Sequence, residues 1–193
     1  MSGHNVMPIK KNPTPYLHVA ATTYWESIMK NWWTVFEWGS GNSTIWLARR
    51  VAKVTSVEHR QTWHDEVMRA AKENEVSPYV MLVSLNEYVD AINQAPYDWA
   101  VDGHQYDCVF VDGHQPLREA CAREALDRIR DGGWLVLDDT YLDGRYGWKL
   151  WTPICKELNE SKEWDGVFIR GKRTDDHGRH RLSQTSFYKK GKI

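Results

Sequence analysis

The sequence predicts an α/β fold, a three-layer sandwich around a seven-stranded, mostly parallel sheet with an antiparallel hairpin at its C-terminal edge. Three observations predict it. From residue 34 onward, short β-favouring runs alternate with amphipathic runs of helical period, the pattern of a parallel sheet covered on both faces. Strand-like runs stop at glycines or acids, as at Gly39 to Gly41 and Asp112-Gly113, where a chain turns sharply into the next element. Near the end, Gly166 to Arg170 (GVFIR) and Thr185 to Lys189 (TSFYK) flank a polar, basic segment, the order of an edge hairpin.

The elements follow in turn. Residues 1 to about 15 carry prolines, a Lys10-Lys11 pair and little periodicity, and are expected to form an irregular, weakly ordered arm outside the core. Ala21 to Trp33 places Tyr24, Ile28 and Trp32 on one helical face, with Thr22 or Thr23 as N-cap. Thr34 to Glu37 is a brief first strand, followed by the turn Gly39-Ser40-Gly41 and the helix-period run IWLARRVA. Lys53 to Glu58 is a second strand, and HRQTWHDEVMRAAKEN a second core helix with Trp63, Val67 and Ala70 inward. Tyr79 to Leu85 gives a third strand and Glu87 to Gln94 a short helix. Tyr106 to Val111 is the fourth strand, and Pro116 to Arg130 an amphipathic helix with proline near its start. Asp131-Gly132-Gly133 closes that helix, and Trp134 to Leu137 makes the fifth strand, ending at Asp138-Asp139.

Length and composition bound the rest. A chain of 193 residues suits one domain, with residues 1–33 as arm and short helix and 34–193 as core, and buries roughly 70% of its unfolded surface. No internal repeat or linker argues for a second. With 25 basic and 26 acidic side chains, no global positive field exists to hold a nucleic-acid backbone. Cys108, Cys121 and Cys155 are odd in number and widely spaced, which suits free thiols in a reducing compartment. The N-terminal residues hold no apolar run of signal-peptide length, and no segment has the roughly 18 apolar residues of a membrane span. A cytoplasmic location is expected. Eleven tryptophans fit a bulky core better than a row of ligand platforms, and the aromatics near the N-terminus are compatible with a homodimer.

In a mostly parallel sheet, ligands bind beyond the carboxyl ends of the strands, where the strand order reverses. The predicted strand ends are Glu37, Glu58, Leu85, Asp112 and Asp138. Four of the five are carboxylates, costly to desolvate without partners. The spacing Gly39-x-Gly41-x-x-Thr44 lacks the third glycine of a dinucleotide fingerprint. Glu37 beside the turn disfavours a pyrophosphate and favours a ligand bearing an ammonium group. Glu58, 21 residues on, lies about where an acid accepts hydrogen bonds from the ribose hydroxyls of an adenosine cofactor.

Four segments then resemble a known family. VFEWGSGNSTIWLA is similar to the first motif of class I S-adenosylmethionine-dependent methyltransferases, VTSVEH to their ribose-binding acidic strand, YDCVFVDGH to their fourth motif and GGWLVLDDT to their fifth-strand motif. The order and spacing agree over Thr34 to Tyr141, and the closest form is that of catechol and caffeoyl-CoA O-methyltransferases and their bacterial relatives. The resemblance implies a Rossmann-like sheet and a small-molecule acceptor methylated on a hydroxyl oxygen. It implies that the methionine amino group lies near Glu37 and Gly39-Ser40-Gly41, its carboxylate near Ser43, and the ribose on Glu58. It also implies that adenine lies between His59 and Leu85-Asn86 and that Asp112 is close to the methionine moiety; Trp38 either packs over the cofactor or, as is commoner for a tryptophan beside a strand end, belongs to the core.

Metal-dependent members hold one divalent ion on the positions matched here by Asp112, Asp138 and Asp139, an oxygen set suited to Mg²⁺, which would lower the pKa of a substrate hydroxyl. Alternatively, Asp138 caps the following turn and Asp139 pairs with Thr140 or Arg145. The catechol enzyme has a lysine shortly after its fourth-strand aspartate, where this chain has His114-Gln115. His114 is then a candidate general base or a loop histidine. The segment Gly171 to Gln184, with Lys172, Arg173, His177, Arg179, His180 and Arg181, is either a solvated loop or a cover for the site. Thr140 to Trp148, which leaves the sheet on the ligand side, is the better candidate for acceptor contacts. Two other function classes remain open: a methyltransferase acting on a macromolecule, and a nucleotide-dependent oxidoreductase or non-catalytic nucleotide-binding module.

Overall fold

The structure, a computed structural model, describes residues 8–95, 105–140, 148–174 and 180–191. Its strands are β1 (Thr34–Trp38), β2 (Lys53–Glu58), β3 (Tyr79–Leu82), β4 (Tyr106–Val111), β5 (Ile129–Leu137), β6 (Trp164–Thr174) and β7 (His180–Lys190). They form one seven-stranded sheet in the order β3-β2-β1-β4-β5-β7-β6. The first five pair in parallel, whereas β7 runs antiparallel to both β5 and β6. The predicted fold class is therefore the observed one. Strand order reverses between β1 and β4, which opens a crevice beyond their carboxyl ends.

Helices cover both faces: α1 (Val19–Ile28), α2 (Asn42–Ala48), α3 (Gln61–Glu73), α4 (Ala91–Gln94), α5 (Arg118–Ala125) and α6 (Trp148–Glu160). Alternate strand residues point to opposite faces. Thus Phe36, Val109 and Val111 join Ala91, Ala122 and Ile154 in one core, while Val35, Cys108 and Phe110 join Trp25 and Leu47 in the other. Six indoles, those of Trp25, Trp33, Trp38, Trp46, Trp134 and Trp164, are buried, so tryptophan serves chiefly as core volume. Among the described residues no helix is long and apolar enough to cross a membrane.

Several boundaries differ from expectation, each for a local reason. Helix α1 starts at Val19 because the His18 ring accepts the Ala20 N–H as N-cap. Its inward face is Ala21 and Trp25, and Trp32 lies beyond the helix end, 62% exposed. The arm from residue 8 onward is not loose. Ile9 is buried against Val67 and Ala70, its N–H donates to Glu66 Oε1 at 2.6 Å, and Asn12 N–H donates to Asn74 Oδ1 at 2.9 Å.

Strand β3 ends at Leu82, and the expected helix from Glu87 shortens to Ala91–Gln94. Strand β5 begins at Ile129 because Gly132, at φ +75°, lets the backbone bulge and resume pairing with β4 instead of breaking. Helix α6 was not anticipated; Pro153 lies inside it, while Ile154 and Leu158 bury its inner face. The presumed basic loop is mostly ladder, with Gly171 to Thr174 paired to His180 through Ser183. His177 and Arg179 lie outside the described residues, as do residues 141–147 of the expected acceptor segment.

Candidate active site

The first turn of the crevice is built on one backbone contact. Gly39 adopts φ +98°, and a Cβ there would lie 2.5 Å from the Cα of Gly113. A Cβ on Gly113 would lie 2.0 Å from the Tyr88 hydroxyl. The loops after β1 and β4 can meet this closely only as glycines. Gly41 differs: its backbone is extended, and a Cβ would stand 3.6 Å from the Trp63 indole at ordinary contact distance. Its missing side chain leaves space and relieves no strain.

Beneath the turn, Glu37 is fully buried. The Thr44 and Ser56 hydroxyls donate to its Oε2 at 2.5 and 2.7 Å, and the Ser43 hydroxyl to Oε1. Thr44 Oγ1 also accepts the Gly41 N–H at 2.8 Å, which links the carboxylate to the turn. Burial pushes the Glu37 carboxyl up to about 7, against the pull of the three hydroxyls and with a further push from Asp112. Its visible work is to hold the turn from below, and it does not line the cavity above.

That cavity, of about 410 Å³, opens over Gly39 to Ser43 and reaches the ends of β2 and β4. Glu58, His59, Asp112 and His114 line it, together with Ser40, Gly41 and Ser43. Glu58 is 3% exposed. Its Oε1 accepts the N–H groups of His59 and Arg60 at 2.9 and 2.8 Å, whereas Oε2 receives a long 3.4 Å bond from the Ser40 hydroxyl. One oxygen is thus fixed by backbone and the other keeps acceptor capacity, the arrangement that holds a vicinal diol. The neighbouring Arg60, 3.7 Å from Oε1, adds only a solvent-exposed ion pair.

Among the wall residues that the sequence reading did not assign to the site are Tyr16, Arg60, Trp63 and Tyr88. Trp63 was read as facing inward, and its Nε1 donates to the Ser40 carbonyl at 2.6 Å, bracing the turn. Tyr88 is buried, and burial raises its hydroxyl pKa. Besides Glu37, three expected residues are not brought to the cavity. Trp38 is core, its Nε1 donating to the Tyr88 carbonyl at 2.7 Å. Leu85 and Asn86 are exposed in the turn after β3 and do not line it. His114 lines the wall, but its ring packs 5.1 Å from that of His59, on the β2 side of the crevice.

On the β5 side, Asp112, Asp138 and Asp139 converge, each offering an oxygen within 4.8 Å of the others. The distances alone would allow a divalent ion, but side-chain donors already reach these oxygens. Arg118 donates to Asp112 Oδ1 at 2.7 Å, and Arg173 to Asp138 Oδ2 and Asp139 Oδ2 at 3.2 and 3.0 Å. Thr185 and Ser183 hydroxyls donate to the second oxygens of Asp138 and Asp139 at 3.0 and 3.3 Å. Asp138 therefore does not cap a turn, and Arg145 lies outside the described residues. Burial raises the Asp112 carboxyl above the usual range, with Arg118 opposing and Asp139 adding to it. Asp138 rises further, from burial and both neighbouring carboxylates.

Comparison with known proteins follows the same residues. The sequence matches a family model described as a methyltransferase domain over residues 36–140. No curated protein matches the chain. Among solved structures, the fold is similar to an O-methyltransferase from Bacillus cereus in complex with SAH, at TM-score 0.71 and 15% identity, covering 93% of this chain and 84% of that one. It is also similar to the O-methyltransferase TomG of Streptomyces achromogenes, involved in tomaymycin synthesis and bound to SAM, at TM-score 0.69 and 16% identity, covering 91% and 82%. A third likeness is to an rRNA methylase from Streptococcus thermophilus, at TM-score 0.65 and 11% identity, covering 93% and 98%. At such identities these likenesses speak to fold alone.

Proposed function

Because the chain belongs to the methyltransferase-domain family, we propose that it transfers the methyl group of S-adenosylmethionine to a hydroxyl oxygen of a small molecule. The observation that carries this reading is Glu58, one oxygen fixed by two backbone N–H groups and the other turned to a cavity over the glycine turn. The ribose diol fits that carboxylate. The methionine end fits the backbone of Gly39 to Gly41, and the rings of His59 and His114, tilted 59° to one another, wall the adenine side. Glu37 braces the turn from below through Thr44 and, with its carboxyl raised by burial to about 7, bears only part of a negative charge at neutral pH. Family membership sets aside the oxidoreductase reading.

The cofactor supplies a sulfonium-bound methyl group for in-line displacement. The chain's part is to align the acceptor oxygen and take its proton. Asp112 lines the cavity at the end of β4, and its raised carboxyl makes it a stronger base than a solvated aspartate. We assign it that proton. His114, packed on the β2 side, forms cofactor wall in this reading. The arginine-filled acid cluster gives Mg²⁺ no step in it. A net charge of -1 supports a small acceptor over a polyanion.

The test is a mass-spectrometric screen with cofactor labelled at the methyl group. Hydroxylated small molecules and ribosomal RNA are offered side by side, with EDTA present. Labelled ether products support the proposal; label found only in RNA, or transferred only when Mg²⁺ is restored, contradicts it.

A further inference from the structure

The acidic cluster has the shape of a divalent-cation site and the contents of something else. We propose that Arg118 and Arg173 stand where such an ion would, so that the cluster at the ends of β4 and β5 works without a metal. The inference rests on the reading above only for the reaction it serves.

Three carboxylates that converge need positive charge, and the two guanidinium groups supply it. Arg118 opens α5 and reaches back across the crevice. Besides Asp112 Oδ1, it donates to the carbonyls of Asp112, Gly113 and Asp138 at 2.7, 3.0 and 3.3 Å. It is thereby committed to both strand ends. Arg173 comes from β6 and bridges Asp138 and Asp139. Asp139 holds a left-handed backbone, φ +55°, outside the region usual for non-glycine residues. Five carboxylate oxygens carry a described donor.

A Mg²⁺ or Mn²⁺ ion needs oxygens at about 2.0–2.1 Å in near-octahedral array. To enter, it would have to displace both guanidinium groups from side-chain positions only 11% and 21% exposed, and then bear their like charge close by. Arg173 does a second thing no ion could do. Its Nη1 donates to the Tyr16 carbonyl at 2.5 Å, and Tyr16 lines the cofactor cavity. The cluster thus ties the N-terminal arm to the cavity mouth with a directional bond.

Mn²⁺ titration of the full chain, read by electron paramagnetic resonance, tests this without cofactor, so its outcome is separable from that of the cavity reading. The wild type is expected to show no saturable site with Kd below about 1 mM. The Arg118→Met/Arg173→Met double variant, its fold checked by circular dichroism, is expected to gain a site at least about tenfold tighter, which Asp138→Asn then abolishes. Arg173→Lys, which keeps the charge, should exclude the ion like the wild type. Saturable wild-type binding lost on Asp138→Asn would overturn the proposal, and so would a folded double variant that gains no site. The wild-type arm decides the matter even if the double variant does not fold.

Discussion

The backbones of Gly39 and Gly113 touch: a Cβ on Gly39 would fall 2.5 Å from the Cα of Gly113. This contact joins the loops after β1 and β4 where the strand order reverses, and it sets the floor of the cavity. Gly39→Ala must therefore leave its left-handed backbone or push β4 away, at a cost of at least about 2 kcal/mol. Urea unfolding should show that loss. Gly41→Ala should keep the wild-type midpoint, because its Cβ would meet the Trp63 indole only at 3.6 Å. Its methyl would instead occupy cofactor space, so S-adenosylhomocysteine affinity should fall while stability holds. An equal stability loss in both variants would contradict this assignment.

Glu37 supplies a pH signature. Its carboxyl is raised by burial from an ordinary 4.5 to about 7. A folded-state pKa above the unfolded value means that the native protein holds the proton more tightly. Stability from this group is then fully present below pH 4.5 and is lost as pH rises to about 7. The loss has an upper size of about 3 kcal/mol. Asp112 and Asp138 shift in the same direction, so the informative quantity is the difference between wild type and Glu37→Gln. That difference should change across this window and be flat above it. Parallel stability curves would show that folding does not raise the Glu37 pKa.

His114 faces His59, not the acid cluster. Its replacement by alanine should raise the cofactor KM several-fold, roughly 1 kcal/mol of lost ring contact, and leave the pH profile of kcat in place. Asp112→Asn should do the reverse, depressing kcat at all pH values. A kcat profile that loses its acidic limb in His114→Ala would return the proton to histidine.

Most of the sheet was legible because its signals are local. Each of the seven strands carries its own β-favouring run, and the acids at Glu58, Asp112 and Asp138 stand at strand ends by count alone. Where sequence reading failed, the deciding contact was distant. Gly132-Gly133 resembled a helix stop, yet pairing with β4 across the sheet turned it into a bulge. Ile9 looked like arm because its partners, Val67 and Ala70, are 58 and 61 residues away. Arg173 looked like solvated charge for the same reason. No local pattern announces a guanidinium's partner 34 or 35 residues off. In α6, the spacing of Ile154 and Leu158 was the available sign, masked by Pro153.

The central claim is that Glu58 holds the ribose of S-adenosylmethionine in the cavity over Gly39 to Ser43. Isothermal titration of S-adenosylhomocysteine into wild type and Glu58→Gln tests it most directly. The amide oxygen of glutamine can keep the His59 and Arg60 N–H bonds, so the fold should survive, while its NH₂ replaces the acceptor that the diol needs. The account predicts saturable one-to-one binding to the wild type and an affinity lower by roughly tenfold to a hundredfold in the variant, the worth of a hydrogen bond to a charged group. No binding to the wild type, or equal affinity in both, would contradict it.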